Sequence, residues 1–272
     1  MRLMNRKPSR AANFYLAALP FVLLAAAYFL GSGIRLAENP NDKLLPALSS
    51  MIEAVKLMGF QVDNRTGSIL MLSDTIASLW RLVLALAISV VLALVLSITI
   101  GLLPAANGLL SSFVSVVSMV PPLALLPILF IVMGLGEDSK VALIVIGTLP
   151  CITRDLIMKV LELPREQLIK AQTLGASTWL VALRVVLPQI LPRLIDSLRL
   201  QLGPAWLFLI AAEAIASDSG LGYRIFLVRR YLAMDVIIPY VIWITCLAFL
   251  MDGALRLVQR KAFPWFASVR SE

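Results

Sequence analysis

The chain is 272 residues long, 60% hydrophobic and only 15% charged, with a mean hydropathy of +0.91 and a formal net charge of +8. A soluble domain carries about 25% charged residues, so the composition argues against a soluble fold and for an all-α, polytopic membrane protein of about six transmembrane helices. Histidine is absent and the two cysteines, Cys151 and Cys246, sit in apolar runs. That leaves no basis for a metal site, a Ser-His-Asp triad or haem ligation, and the cysteines read as packed hydrophobes.

In chain order, a basic tail over 1–13 carries Arg2, Arg6, Lys7 and Arg10. A first span follows at 14–31. Its apolar run exceeds the roughly 7–15 residues of a signal peptide, so a retained helix is expected. The segment 32–78 is polar enough to lie outside the membrane, with an amphipathic stretch at 48–57 that either lies on the surface or leads into the second span. The Asn64-Arg65-Thr66 triplet within it matches a glycosylation pattern too common to carry weight. Further spans are expected at 82–103, 109–135, 141–157, 200–217 and 236–257. The third contains Pro121, Pro122 and Pro127. The fourth ends near Arg154-Asp155, which reads as an interfacial ion pair, and the fifth contains Glu213.

With the N-terminus inside, six spans put most of the 24 Lys and Arg residues on the inner side, in the two tails and a loop at about 158–199. This agrees with the positive-inside tendency, places both termini in the cytoplasm and explains the charge without nucleic acid. Arg224, Arg229 and Arg230 fit least well, and their segment is expected to fold back into the protein. The region 79–258 reads as one domain, followed by a cytoplasmic tail at 259–272.

The inner loop reads as helix, turn, helix. Pro164 suits a first helical turn and Glu166 suits its dipole. Gly175 can take the left-handed conformation that ends a helix, Ser177 can cap the next one over 178–187, and Pro188 closes it. On helix pattern alone, an ordinary amphipathic connector is an equal reading.

The spacing Ala171-x-x-x-Gly175 followed by Val185-x-Leu187-Pro188 resembles the "EAA" loop of ABC importer permeases. The stretch 174–265 is similar to the nitrate, sulfonate and taurine branch of that superfamily. Its pieces are Leu174-Gly175-Ala176-Ser177, Leu198-Arg199, Gly203-Pro204-Ala205-Trp206, Ala212-Glu213-Ala214-Ile215 and Ser219-Gly220-Leu221-Gly222-Tyr223. Upstream, Ser78-Leu79-x-Arg81, Val120-Pro121-Pro122-x-Ala124-x-x-Pro127 and Phe130-x-x-x-Gly134-Leu135-Gly136 also fit. The resemblance implies a type I importer permease core in a bacterial inner membrane. It makes Ile169, Lys170, Ala171, Gln172, Thr173, Leu174, Gly175, Ala176 and Ser177 the element that couples to an ATPase. It implies as partners an ABC ATPase, a second copy or similar permease, and a periplasmic substrate-binding protein. The chain has no phosphate-binding Gly-x-x-x-x-Gly-Lys-Ser/Thr loop, so ATP and Mg belong to the partner, and this chain is expected to bind no cofactor and to be no enzyme. One departure stands out: the family's Glu and first Ala fall on Ile169 and Lys170, and only Ala171 is kept.

Ionisable groups in spans face cavities or partners. Glu213 is therefore a candidate for substrate contact, or equally for a pair with Arg199 or Arg224. Trp206, seven residues earlier, shares its helical face. The proline break makes Met119, Pro121 and Pro122 candidates for the pathway wall, with Asp218 a further candidate. The implied cargo is a small polar solute: nitrate, taurine, a sulfonate, or another small nitrogen compound such as guanidinium or a urea derivative. A secondary transporter or channel, the alternative class, would show paired broken helices in inverted halves, and the sequence shows none.

Overall fold

The computed structural model describes residues 9–39, 42–63 and 67–269; the Asn64-Arg65-Thr66 triplet and the extreme termini lie outside them. The described chain is helical: α1 (Arg10–Glu38), α2 (Leu48–Phe60), α3 (Leu70–Leu102), α4 (Pro104–Val117), a 3₁₀ turn (Pro122–Leu125), α5 (Leu126–Met133), α6 (Glu137–Leu161), α7 (Arg165–Thr173), α8 (Thr178–Val181), a π-helical turn (Ala182–Val186), α9 (Leu187–Ala216), α10 (Leu221–Arg229), α11 (Met234–Ala262) and α12 (Pro264–Val269).

The Ser9 side chain caps α1, accepting from the Ala12 N–H at 3.2 Å. None of the apolar stretch of α1 is buried within the chain. Its ties are at its far end, where Tyr28 donates to the Pro46 carbonyl at 2.8 Å and Ser32 to the Leu45 carbonyl at 3.0 Å. The stretch expected at 48–57 is the separate helix α2, set off from α3 by the bridge between Val62 and Ile69.

Helices α3 and α6 form the centre of the bundle and run parallel. Arg81 meets Glu137 at one end, Ser89 lies 2.9 Å from Thr148 in the middle, and Gly101 packs on Val160 at the other end. The contact rests on a stripe at four-residue spacing: Ala85, Ser89, Ala93 and Ser97, all fully buried. Small side chains let backbones approach, and in lipid such packing replaces the hydrophobic drive as the source of association. A Cβ on Gly147 of α6 would sit 2.3 Å from the Phe208 ring of α9, so that crossing is equally tight.

Two successive helices that pack parallel need a connection that returns along the whole bundle. The α4–α5 pair is that connection, bent by 83° at its break. Pro121 and Pro122 cause the bend, because neither has an N–H to continue the helix and each ring clashes with the preceding turn. The expected third span at 109–135 is thus a broken crossing, and with it the five other long apolar helices make six. Helix α9 then runs antiparallel to α6, and α11 antiparallel to α9. Asp155 accepts from Ser197, Arg199 meets Asp252 at 2.6 Å, and Gln259 donates to the Pro192 carbonyl at 2.7 Å. The ends of α3, α6 and α11 and the start of α9 therefore share one face, called here the coupling end; the opposite face is the clamp end.

Several expectations need correction. The second span, α3, begins at Leu70, not 82, because Asp74 and Arg81 find partners inside the protein. The helix after Ser177 does not stop at Pro188. It passes through the π turn into α9, giving a helical run of 39 residues over Thr178–Ala216. The wider turn accommodates the missing proline N–H: the Leu187 N–H bonds the Ala182 carbonyl, five residues back. Arg154 and Asp155 do not pair, since neighbours in a helix point apart; Arg154 reaches Ser118 at 3.4 Å. Cys246 is exposed rather than packed, and Cys151 is half-buried.

Candidate functional site

At the coupling end, α7 and the short helix α8, which runs on into α9, connect α6 to α9. Helix α7 ends in a left-handed glycine, Gly175, at φ 83°. The Gly175 N–H bonds the Gln172 carbonyl at 2.9 Å and the Ala176 N–H bonds the Ala171 carbonyl at 3.0 Å. This pair of bonds defines a Schellman motif, which satisfies carbonyls that a helix end leaves open. Ser177 then caps α8, accepting from the Leu180 N–H at 3.3 Å. The expected helix, glycine break and cap are all present.

The element is rigidly seated. Leu168, Ala171 and Ala176 pack on an apolar cluster built from Ile152, Leu156 and Val160 of α6, Val186 of the π turn, and Ile190 and Leu194 at the start of α9. Gln189 of α9 also donates to Gln167 of α7 at 3.0 Å. Ala171, the family residue that this chain keeps, is thus the inward-facing one. Ile169, Lys170, Gln172, Thr173 and Gly175 are exposed, as are Leu174 at 87% and Trp179 at 72%. Two large apolar side chains are thus bared on this segment.

At the clamp end, the turn 217–220 between α9 and α10 is stapled to α3 and α6. Glu213 has no exposed surface. Its oxygens accept from Arg81 Nη1 at 2.7 Å, from Ser78 Oγ at 2.8 and 2.9 Å, and from the Gly222 N–H at 2.8 Å. Arg81 also donates to the Ser219 carbonyl at 2.9 Å and grips Glu137 through Nε and Nη2. Lys140 joins Glu137 at 2.8 Å and Ser217 at 3.2 Å. Beside this network, buried Asp74 accepts from Arg224 at 2.8 Å and from the Gly220 N–H at 3.1 Å. Segment α10 does fold back, as Arg224 suggested. At φ 121°, a Cβ on Gly220 would lie 2.5 Å from the Glu213 carboxylate, so this turn needs glycine for both backbone and space.

Glu213 therefore pairs with neither of the arginines considered from sequence. Arg199 is held by Asp252 and Arg224 by Asp74. The missed residue is Arg81, which had been quoted only as part of a family pattern; a lone charge beside the most apolar run was the signal available. Trp206 is buried in the apolar core, and its indole N–H has no hydrogen-bond partner among the described residues. Met119, 70% exposed, and Pro121 lie at the bend of the broken crossing with Pro122 half-buried, and Asp218 is exposed on the clamp-end turn. The structure brings Met119, Pro121 and Pro122 together at the bend, whereas Glu213 lies on another element, α9. Among the described residues, no group of His, Cys, Asp and Glu side chains could hold a metal ion.

An all-helical bundle of five long apolar helices and one broken crossing, with an exposed helix pair at one end, has the architecture of a membrane-spanning permease. The family described as the binding-protein-dependent transport system inner membrane component matches residues 89–264, and the chain belongs to that family. It is 37% identical over 194 residues to the taurine transport system permease protein TauC of Escherichia coli (strain K12), covering 71% of this chain and 70% of that one. It is 29% identical to the bicarbonate transport system permease protein CmpB of Synechococcus elongatus, covering 69% and 68% of the two chains. A chain of the inward-facing MetNI methionine ABC transporter superposes with a TM-score of 0.58 at 18% identity, over 70% of this chain and 93% of that one. The fold is that of a type I ABC importer permease. Permeases of this family work with ATPase and binding-protein partners and are not themselves enzymes.

Proposed function

We propose that this chain forms, with a second copy or a similar permease, the translocation pathway of an ATP-driven importer for a small polar solute of the taurine, sulfonate or bicarbonate kind. A periplasmic binding protein delivers the solute to the clamp end. An ATPase subunit, which binds the ATP and Mg, engages α7 and α8 at the coupling end. The basic residues concentrated at that end support a cytoplasmic position for it and for both termini. The bare Leu174 and Trp179 on a rigid cytoplasmic element carry this reading. Because α7 is locked to α6 and α9 through one apolar cluster, a displacement imposed on it tilts those spans as a body. Ile169 and Lys170 face the partner and adapt the contact to one ATPase. The bend at Met119, Pro121 and Pro122 walls the pathway, whereas Glu213, with its oxygens saturated, holds the helices that frame it.

The test replaces Leu174 and Trp179, both exposed and so dispensable for folding. Leu174→Ser with Trp179→Ala is expected to release the ATPase on co-purification and abolish ATP-dependent uptake, with the unfolding temperature of the permease unchanged. Retained association and uptake would reject the docking assignment.

A further inference from the structure

Between α2 and α11 lies a groove of about 480 Å³ that the transport reading does not use. One wall is a stripe of α2 at four-residue spacing: Leu48, Ile52, Lys56 and Phe60. The other is Pro239, Ile242, Trp243 and Cys246 of α11, and Met51, Val55 and Met71 form its floor. The lining is apolar except for Lys56. The ammonium of Lys56 is exposed and makes no hydrogen bond or ion pair among the described residues. Ile52, Phe60 and Ile242 are likewise bare, at 47%, 77% and 57% exposure.

Depth decides what can fill this groove. Cys246 lies twelve residues into α11, about 18 Å along a helix that crosses the membrane. The hydrocarbon core is about 30 Å thick, so the groove runs from one interface to the midplane, the reach of a single leaflet. What meets it there is hydrocarbon rather than water. At roughly 30 Å³ for each water-sized group, the volume accepts about sixteen methylenes. A lone unpaired cation on the wall adds a preference for negative charge, because basic side chains at membrane interfaces attract anionic head groups. Trp243 anchors the wall by donating to Thr75 at 2.9 Å, so the groove is held open by α3 as well.

We propose that this groove holds one acyl chain of an anionic glycerophospholipid, with its phosphate on Lys56. Such a lipid would tie α2 to α11 at the clamp end, and it stands independently of the transport assignment.

The test is native mass spectrometry of the full-length chain, released from nanodiscs of equal parts phosphatidylglycerol and phosphatidylethanolamine. One retained lipid per chain is expected, phosphatidylglycerol preferred. Ile242→Trp fills the groove and should release the lipid. Val241→Trp, on an exposed position outside the groove, should keep it. Lys56→Gln should keep a lipid but lower the phosphatidylglycerol preference about fivefold, the worth of one lysine at a membrane surface. Cys246→Trp repeats the filling from the same wall should Ile242→Trp fold poorly. Equal retention in the filled and control variants would overturn the proposal. So would an unchanged lipid preference in Lys56→Gln. Efficient disulfide formation between the Cys246 residues of two copies would also overturn it, since a second copy would then cover the groove.

Discussion

Glu213→Gln is the most informative perturbation of the clamp. The substitution keeps shape and removes charge. The glutamine nitrogen must take the place of one oxygen. At the Oε1 position it would stand 2.7 Å from Arg81 Nη1, and at the Oε2 position 2.8 Å from the Gly222 nitrogen. Either way a donor faces a donor in a site with no exposed surface. A buried unpaired donor costs about 1–3 kcal/mol, and loss of the charge adds to that. Arg81 is not orphaned, because Glu137 and the Ser219 carbonyl still hold it. The total should therefore reach about 2–4 kcal/mol, at or below the ~3–5 kcal/mol of a buried pair broken outright. Denaturation of the purified permease measures it. A cycle with Arg81→Ala and Glu213→Ala should show a coupling of at least ~1 kcal/mol. If Glu213→Gln stays within about 0.5 kcal/mol of the parent and uptake is still lost, the carboxylate serves the cargo and the structural reading fails.

The remaining predictions concern packing, backbone and pH. Gly147→Ala places a methyl 2.3 Å from Phe208 and should destabilise by about 1–3 kcal/mol, with Phe208→Leu restoring part of the loss in a thermal unfolding assay. Nothing lies within 4 Å of a Cβ on Gly175, so only its φ of 83° resists substitution. Gly175→Val should cost at least ~1–2 kcal/mol of the α7 turn and weaken ATPase association, whereas Gly175→Asn, which tolerates that conformation, should be milder. The hydrogen bond from Arg35 holds the Asp42 carboxyl below its usual range, aided by the Leu44 N–H. A depressed folded-state value means the anchoring is complete above the ordinary carboxylate pKa and is lost as pH falls through the lowered one. The protection of the Leu44 amide, its exchange rate relative to the intrinsic rate at the same pH, should therefore fall on acidification below the ordinary carboxylate range, and Asp42→Asn should remove that pH dependence.

Hydropathy made the crossings legible in the sequence because a helix that crosses lipid must be long and apolar, with its backbone bonds closed within itself. The helix pair at 165–181 was legible residue by residue. Pro164, Gly175 and Ser177 act on their immediate neighbours, so their effect does not depend on the rest of the fold. The helix limits were less legible. A hydropathy window stops at a charge, yet α3 continues through Arg81 and Asp74 because both are neutralised by remote elements. The π turn before Pro188 was hidden for a related reason: a proline reads as a stop unless the surrounding cluster rewards continuing.

By itself the sequence determined what local chemistry determines: the apolar crossings, a basic end, a glycine-broken helix pair and its family. Tertiary structure alone decided the partners. Arg81 and Glu213 are 132 residues apart in the chain, and Asp74 and Arg224 are 150 apart. A buried charge announces that it must be paired. Which partner it takes depends on how α3, α6, α9 and α10 come together, and that geometry follows from the stripe of small residues and the 83° bend acting over the whole bundle.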